Sequence, residues 1–300
     1  MRVFVTGASG WIGSAVVPEL LAAGHEVVGL ARSDASAAAV EHLGARAHRG
    51  SIDDLESLRA GARDADAVVH LAFKHDFADY AGAGRTERAA VETFLDELAG
   101  SGRAFLLASG LAGRPGAVLT ERDRSAFTGP DAPRGGSEGL ALDAADRGLR
   151  PVAVRFAPTV HGPGDHGFMA VLVGIARERG VSGYVGDGAH RWPAVHRSDA
   201  GRLVALALDG AAAGSAVHAV GEVGIPTREI AEAIGSGLGV PTVSVDPADA
   251  AEHFGWLGGF FGTDVAASND VTRSTLGWEP SGPTLLEDLD SGVYFQGAGR

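Results

Sequence analysis

Cysteine is absent from these 300 residues, which excludes disulfides, thiol nucleophiles and cysteine-based metal sites and agrees with a reducing compartment. Lysine is nearly absent too: Lys74 is the single one. Acidic residues outnumber basic ones, 38 to 25, and the net charge of −13 argues against general affinity for nucleic acid or for an anionic membrane surface. No apolar run reaches the roughly 20 residues a membrane-crossing helix needs, and no signal-peptide pattern precedes the first apolar segment, so a cytoplasmic location is expected. No H-E-x-x-H pattern occurs, and no metal site is expected. Neither an internal repeat nor a disordered linker interrupts the chain, whose length suits a large core and two lobes.

What is present is concentrated at the start, MRVFVTGASGWIGSAVVPELLAAGHEVVGLAR. Val3 to Thr6 suit a buried parallel strand. Gly7, Gly10 and Gly13 follow as G-x-x-G-x-x-G, then an amphipathic helix over Ile12–Ala23 stopped by Gly24, then a second strand over Glu26–Ala31. Strand, glycine turn, helix and strand in this order form a dinucleotide site. Gly7 permits the tight turn, Gly10 lets the backbone approach a pyrophosphate, and Gly13 lets the helix pack close to the sheet. The free N–H groups and dipole of the helix start then favour the phosphates. The second strand runs out into Arg32 and Ser33, a pair that can grip a 2′-phosphate. NADP(H) is therefore the expected cofactor, with NAD(H) the alternative if the strand ends later and Asp34 binds the ribose instead.

Apolar strands and amphipathic helices go on alternating. Strands are expected at Ala45–His48, Ala67–Ala72, Ala104–Ala108 and Pro151–Phe156, with helices around Glu41-His42 and over Asp53–Gly61, Thr86–Ala99 and Gly136–Arg147. This predicts an α/β fold, a Rossmann-type doubly wound parallel sheet with a smaller C-terminal substrate lobe. Residues 1–160 form the dinucleotide-binding domain in this reading. Residues 161–300 form mainly the substrate lobe, with some elements returning to the sheet. Beyond residue 157 the stretch holding Pro158, Gly162, Pro163 and Gly164 reads as loop. Later helices are expected at Phe168–Arg179, Ser198–Leu208, Thr227–Leu238 and Pro247–Phe254, and strands at Gly183–Val185, Val217–Val220 and Thr242–Val245. His253-Phe254-Gly255-Trp256 with Phe260-Phe261 reads either as an apolar lid or as plain core. Tyr294-Phe295-Gln296-Gly297 partly resembles a protease-site scar, and residues 296–300 stay outside the fold prediction.

Five stretches together resemble the extended short-chain dehydrogenase/reductase superfamily over nearly the whole length. They are Thr6–Gly13 (TGASGWIG), Asp66–Ala72 (DAVVHLA), Arg155–Gly164 (RFAPTVHGPG), Val195–Ala200 (VHRSDA) and Leu276–Pro280 (LGWEP). The resemblance places Ile52 near the adenine, Leu71, Ala72 and Phe73 under the nicotinamide ribose, and Ala157, Thr159 and Val160 near the carboxamide. With Gly7, Ser9, Gly10, Trp11, Ile12, Gly13, Arg32, Ser33 and Ser109 these residues make the expected cofactor-binding set. The resemblance also carries an expectation of a homodimer.

The superfamily's reaction usually depends on a Ser or Thr after the fifth strand and a Tyr-x-x-x-Lys on the next helix. Here Gly110 aligns with the serine, Ser109 lies one residue early, Arg134 stands for the tyrosine and Glu138 for the lysine. A positioned acid or base is worth about 10²–10⁴-fold in rate, so a substitute is needed. Lys74 and His75 follow the fourth strand at the cofactor edge; a desolvated lysine or a histidine can exchange protons near neutral pH. Asp76 or Asp79 could orient His75, and Tyr80 supplies a phenol. Arg134 and Glu138 are expected one helical turn apart, either as a mutual ion pair, or with Glu138 as proton carrier or Arg134 as holder of a substrate carboxylate. The expected catalytic set is thus Lys74, His75 and Glu138, with His161 and His166 as pocket wall and His166 in reserve. The leading expectation is an NADP(H)-dependent oxidoreductase acting on a small, partly apolar carbonyl, imine or activated alkene, an iminium suiting the missing tyrosine best. A non-redox isomerase, cyclase or lyase, and an NADP(H)-sensing binding protein, stay open beside it.

Overall fold

The computed structural model describes residues 1–75, 79–111, 113–114 and 116–296. Its centre is a sheet of seven parallel strands: β1 (Arg2–Thr6), β2 (Glu26–Ala31), β3 (Arg46–Arg49), β4 (Ala67–His70), β5 (Ala104–Gly110), β6 (Arg150–Phe156) and, after three strands placed elsewhere, β10 (Ser215–Ala219). The spatial order is β10-β6-β5-β4-β1-β2-β3. Successive side chains on a strand face opposite ways, which divides the core in two. Val3, Val5, Val69, Leu106 and Val154 pack on one face, with Val16, Val17 and Leu20 of α1 (Gly13–Ala22). Phe4, Val68, Phe105 and Leu107 pack on the other, with Leu58 of the helix Leu55–Arg63 and with Val91, Phe94 and Leu95 of the helix Tyr80–Leu98. Each such side chain contributes about 1.5–3 kcal/mol on burial, and both faces need covering, so the strands read as unbroken apolar runs.

The remaining strands form two small sheets. β7 (Thr159–His161), β9 (Arg191–His196) and β11 (Glu222–Pro226) pair in the order β11-β9-β7; β8 (Ser182–Val185) pairs in parallel with β12 (Thr242–Val245). Three of these five differ from expectation. Thr159–His161 was expected as loop, and Arg191–His196 and Glu222–Pro226 as no strand at all; three residues, or a proline inside RWPAVH, give too little periodicity to detect. The helix Tyr80–Leu98 begins six residues before its expected start, because Asp79 caps the Gly82 amide at 2.8 Å. Tyr294 is part of the fold: its hydroxyl donates to Asp165 at 2.8 Å and accepts from the Gly162 amide at 3.3 Å. Phe254 and Phe261 are buried core while Trp256 is 49% exposed, so the aromatic cluster is core with one ring at the surface. Among the described residues no helix is long and apolar enough to cross a membrane.

Chain order reverses beside β1: β2 and β3 run to one side, β4, β5 and β6 to the other. Ligands of open parallel sheets lie beyond the carboxyl ends of the strands at such a switch point. Here that places them between the glycine turn after β1 and the segment Leu71–His75 after β4.

Candidate active site

The glycine turn has room in one direction only. Gly7 has φ +69°, and a Cβ there would lie 2.8 Å from the Ala72 amide nitrogen. A Cβ on Gly13 would strike the Gly7 carbonyl oxygen. A Cβ on Gly10 would meet only the Gly7 oxygen, at 3.1 Å, and otherwise open space. The backbone is closed at the two packing positions and open at Gly10. α1 has no side-chain cap, and the Trp11 and Ile12 amides have no intrachain acceptor among the described residues, which leaves donors for an anion. The residues present therefore fit a dinucleotide pyrophosphate. The Trp11 indole donates to the Val160 carbonyl at 2.7 Å, the Arg197 guanidinium stacks on it at 4.3 Å, and the His166 ring meets its edge at 5.6 Å. These contacts bind the turn to β7, to the loop that follows it and to the start of the helix after β9. Ser9 is exposed, Ile52 half-buried, Ala157 buried, and the buried Thr159 hydroxyl has no partner among the described residues.

β2 ends at Ala31, so Arg32 is the first residue past the strand. Arg32 is exposed, with no acidic partner among the described residues. Ser33 caps the helix Asp34–His42 by accepting from the Ser36 amide at 3.1 Å. Asp34 is instead held by Arg49, at 2.6 Å. Asp34 is thus ion-paired at the surface, and Arg32 stands at the strand end.

The chemistry-bearing side chains gather round Phe73. The Arg134 guanidinium lies 4.2 Å over its ring, the His75 ring meets it at 5.4 Å and the Tyr80 ring at 5.8 Å. Arg134 does not pair with Glu138. Arg134, Gly135 and Gly136 have φ of 56°, 61° and 62°, and the helix starts only at Ser137. Arg134 is the one non-glycine residue with positive φ among those described, a conformation that costs of order 1 kcal/mol or more and concentrates at functional sites. Two glycines allow it: a Cβ on Gly84 would lie 2.9 Å from the Gly135 nitrogen. The turn consequently rests against the long helix one turn from Glu87. Glu87 accepts from Arg134 Nη2 at 2.7 Å, and the same nitrogen donates to the Ala108 carbonyl at 3.0 Å. Burial pushes the Glu87 carboxyl up and Arg134 pulls it back part of the way. Burial also raises the Tyr80 phenol above its usual value.

His75 sits at the rim. Partial burial lowers its pKa, Arg134 and His166 lower it further, and a hydrogen bond with the Phe73 backbone raises it in part. The Lys74 side chain is 38% exposed, with its ammonium ion-paired with Asp53. Glu138 is corrected as a proton carrier. It is buried, accepts from Ser109 at 2.5 Å and from Arg155 Nη2 at 2.7 Å, and so has both oxygens committed inside the protein. His161 does not line a pocket: it is fully buried, with Nδ1 2.6 Å from Asp288. Asp76 lies outside the described residues. Glu87 gives no sign of this role in the sequence, since a lone glutamate 47 positions from Arg134 carries no local signal.

Fold and turn together define a Rossmann-type nucleotide-binding protein. A family model described as NAD dependent epimerase/dehydratase matches residues 3–134. An uncharacterized protein of Schizosaccharomyces pombe is 43% identical over 98% of this chain and all of its own length. The 2′-dehydrokanamycin reductase of Streptomyces kanamyceticus is 30% identical over 84% of this chain and 72% of its own. The solved structure of dTDP-glucose 4,6-dehydratase from Streptomyces venezuelae, with NAD bound, superposes with a TM-score of 0.76 at 25% identity, covering 98% of this chain and 96% of that one. The chain belongs to the NAD dependent epimerase/dehydratase family, and with that membership comes a nicotinamide cofactor.

Proposed function

We propose that the protein is an NADP(H)-dependent oxidoreductase that reduces a small, partly apolar carbonyl, imine or activated alkene. The observation that carries this is the one-sided opening of the glycine turn, closed at Gly7 and Gly13 and open at Gly10, at the switch point of the sheet. The Trp11 and Ile12 amides would hold the pyrophosphate, and Phe73 would floor the nicotinamide end. A reduced nicotinamide bound there supplies a hydride. His75 carries the proton, because an imidazole can both bind and release one and it stands beside Phe73 at the solvent rim. The test is loss of NADPH absorbance with a carbonyl, imine and alkene panel. His75→Ala is expected to slow turnover by about 10²-fold, the lower end for a positioned acid. Its lowered pKa places the imidazolium below pH 6.5, so reduction speeds up as pH falls through that region. An unchanged rate in His75→Ala would remove it as the donor.

Coenzyme preference rests on Arg32. A charge-assisted hydrogen bond is worth about 1.5–3 kcal/mol, so Arg32→Ala is expected to weaken NADPH binding by roughly 10- to 150-fold. NADH, with no 2′-phosphate, should bind within about twofold of the original chain. Fluorescence titration with both coenzymes checks this, and equal losses for the two would place the phosphate elsewhere.

A further inference from the structure

We infer that Arg134 replaces the family's tyrosine as the group that grips the substrate oxygen, and that the substrate is an α,β-unsaturated carbonyl compound. This rests on the redox reading above and narrows its substrate class. Arg134 has the features of a built donor. Its backbone is held in a left-handed conformation and its side chain is 22% exposed. The guanidinium is anchored through Nη2 on Glu87 and Ala108 and steadied by the Phe73 face. Among the described residues Nε and Nη1 have no protein acceptor, so three N–H groups on two nitrogens of a rigid fork remain for a ligand oxygen.

The chemistry of a guanidinium then selects the substrate. It stays protonated in proteins, so unlike a phenol it cannot hand over a proton, but it can hold a developing oxyanion electrostatically. A saturated ketone leaves an alkoxide, which is as basic as hydroxide and must be protonated on oxygen as it forms. A conjugated carbonyl leaves an enolate, a far weaker base that a fixed cation can stabilise without proton transfer. Hydride adds to the β-carbon, the C=C pair shifts to join the α-carbon and the carbonyl carbon, the C=O pair moves to the oxygen held by Arg134, and the α-carbon then takes a proton from His75 as the carbonyl re-forms. The alkene gains two electrons from the reduced nicotinamide dinucleotide, and the carbonyl is restored. An iminium cation, favoured by the absence of tyrosine alone, meets a guanidinium here and is disfavoured.

The test uses p-nitrophenol, whose phenolate mimics an enolate and absorbs visible light, titrated into the full chain saturated with NADP⁺. The bound phenol is expected to ionise at least one pH unit below the free one. Arg134→Met should lose that shift and at least tenfold of phenolate affinity while NADPH affinity holds. Arg134→Lys should retain part of the shift. Glu87→Gln keeps a hydrogen-bond acceptor but removes the opposing charge, and should raise phenolate affinity several-fold. In turnover, an enone should exceed the matched saturated ketone and imine by at least 100-fold. Unshifted ionisation in the original chain, wild-type behaviour of Arg134→Met, weaker phenolate binding in Glu87→Gln, or preference for the ketone or imine each overturns the assignment. Failure of NADPH to bind would strike the nucleotide reading instead, and is read separately.

Discussion

Replacing Glu138 with leucine is expected to destabilise the chain by about 3–5 kcal/mol, the cost of leaving a buried charge without its partner. The charge is that of Arg155 in β6, itself 5% exposed. Arg155 donates twice to Glu138, to the Asp123 carbonyl at 2.7 Å, and to His218 Nε2 at 3.2 Å. Arginine has only donors, so His218 accepts through Nε2 and donates through Nδ1 to the Ser268 carbonyl at 2.7 Å. One carboxylate thus supports a polar chain from Ser109 to the segment before the helix Asp270–Leu276. For a protein of this size the melting temperature should drop by roughly 10 °C. Arg155→Met in the same chain removes the stranded charge and should recover much of the loss, since apolar replacements of whole buried pairs are often neutral. Scanning calorimetry on the single and double variants decides it: equal destabilisation in both would mean that packing, not charge, fixes the site. Glu138→Leu turning over substrate at the original rate, once corrected for folded fraction, fits this support role.

The sheet was readable because its strands are buried on both faces and therefore carry continuous apolar runs; Glu26–Ala31 and the helices Phe168–Arg179 and Thr227–Leu238 have the expected bounds. Gly7, Gly10 and Gly13 were readable because each meets a different steric demand that no other residue satisfies. The residues round Phe73 were not. Arg134 and Glu138 are four apart, which on a helix means a shared face, but the two glycines after Arg134 hold the chain left-handed and the helix starts at Ser137. The pair is thereby split, Arg134 going to Glu87 and Glu138 to Arg155. Both partners are remote in sequence and carry no periodicity of their own. Arg134-Gly135-Gly136 did hold a usable signal, because consecutive glycines oppose helix and favour positive φ. Lys74 stands out as the only lysine, yet rarity says nothing of burial, and its side chain lies partly exposed with its ammonium paired to Asp53.

Acidification from pH 7.5 to pH 5 is expected to remove about 2 kcal/mol of stability through His70 alone. His70 ends β4 opposite Thr6 of β1, directly beneath the glycine turn. It is 1% exposed, Nδ1 lies 2.7 Å from the Thr6 hydroxyl, and Nε2 is buried with no partner among the described residues. The rings of Phe94 and Phe105 lie 5.3 and 6.5 Å away. Burial first, then the Arg134 charge, lower its pKa from 6.5 to about 3. The folded chain therefore keeps His70 neutral while the unfolded chain protonates it below pH 6.5. Stability from this residue is full above that value and is lost as pH falls toward 3, by about 1.4 kcal/mol per unit. His161 and His218, also lowered by burial, push the same way. The measurement is the urea midpoint at both pH values for the original chain and for His70→Leu, which cannot take the proton. The variant should lose about 2 kcal/mol less across the interval; an equal loss in both would mean that the acid sensitivity lies elsewhere. Because the Thr6 hydroxyl also accepts from the Ala72 amide at 3.1 Å, a charged His70 would disturb the segment proposed to floor the cofactor site, and NADPH binding should weaken at acid pH before the chain unfolds.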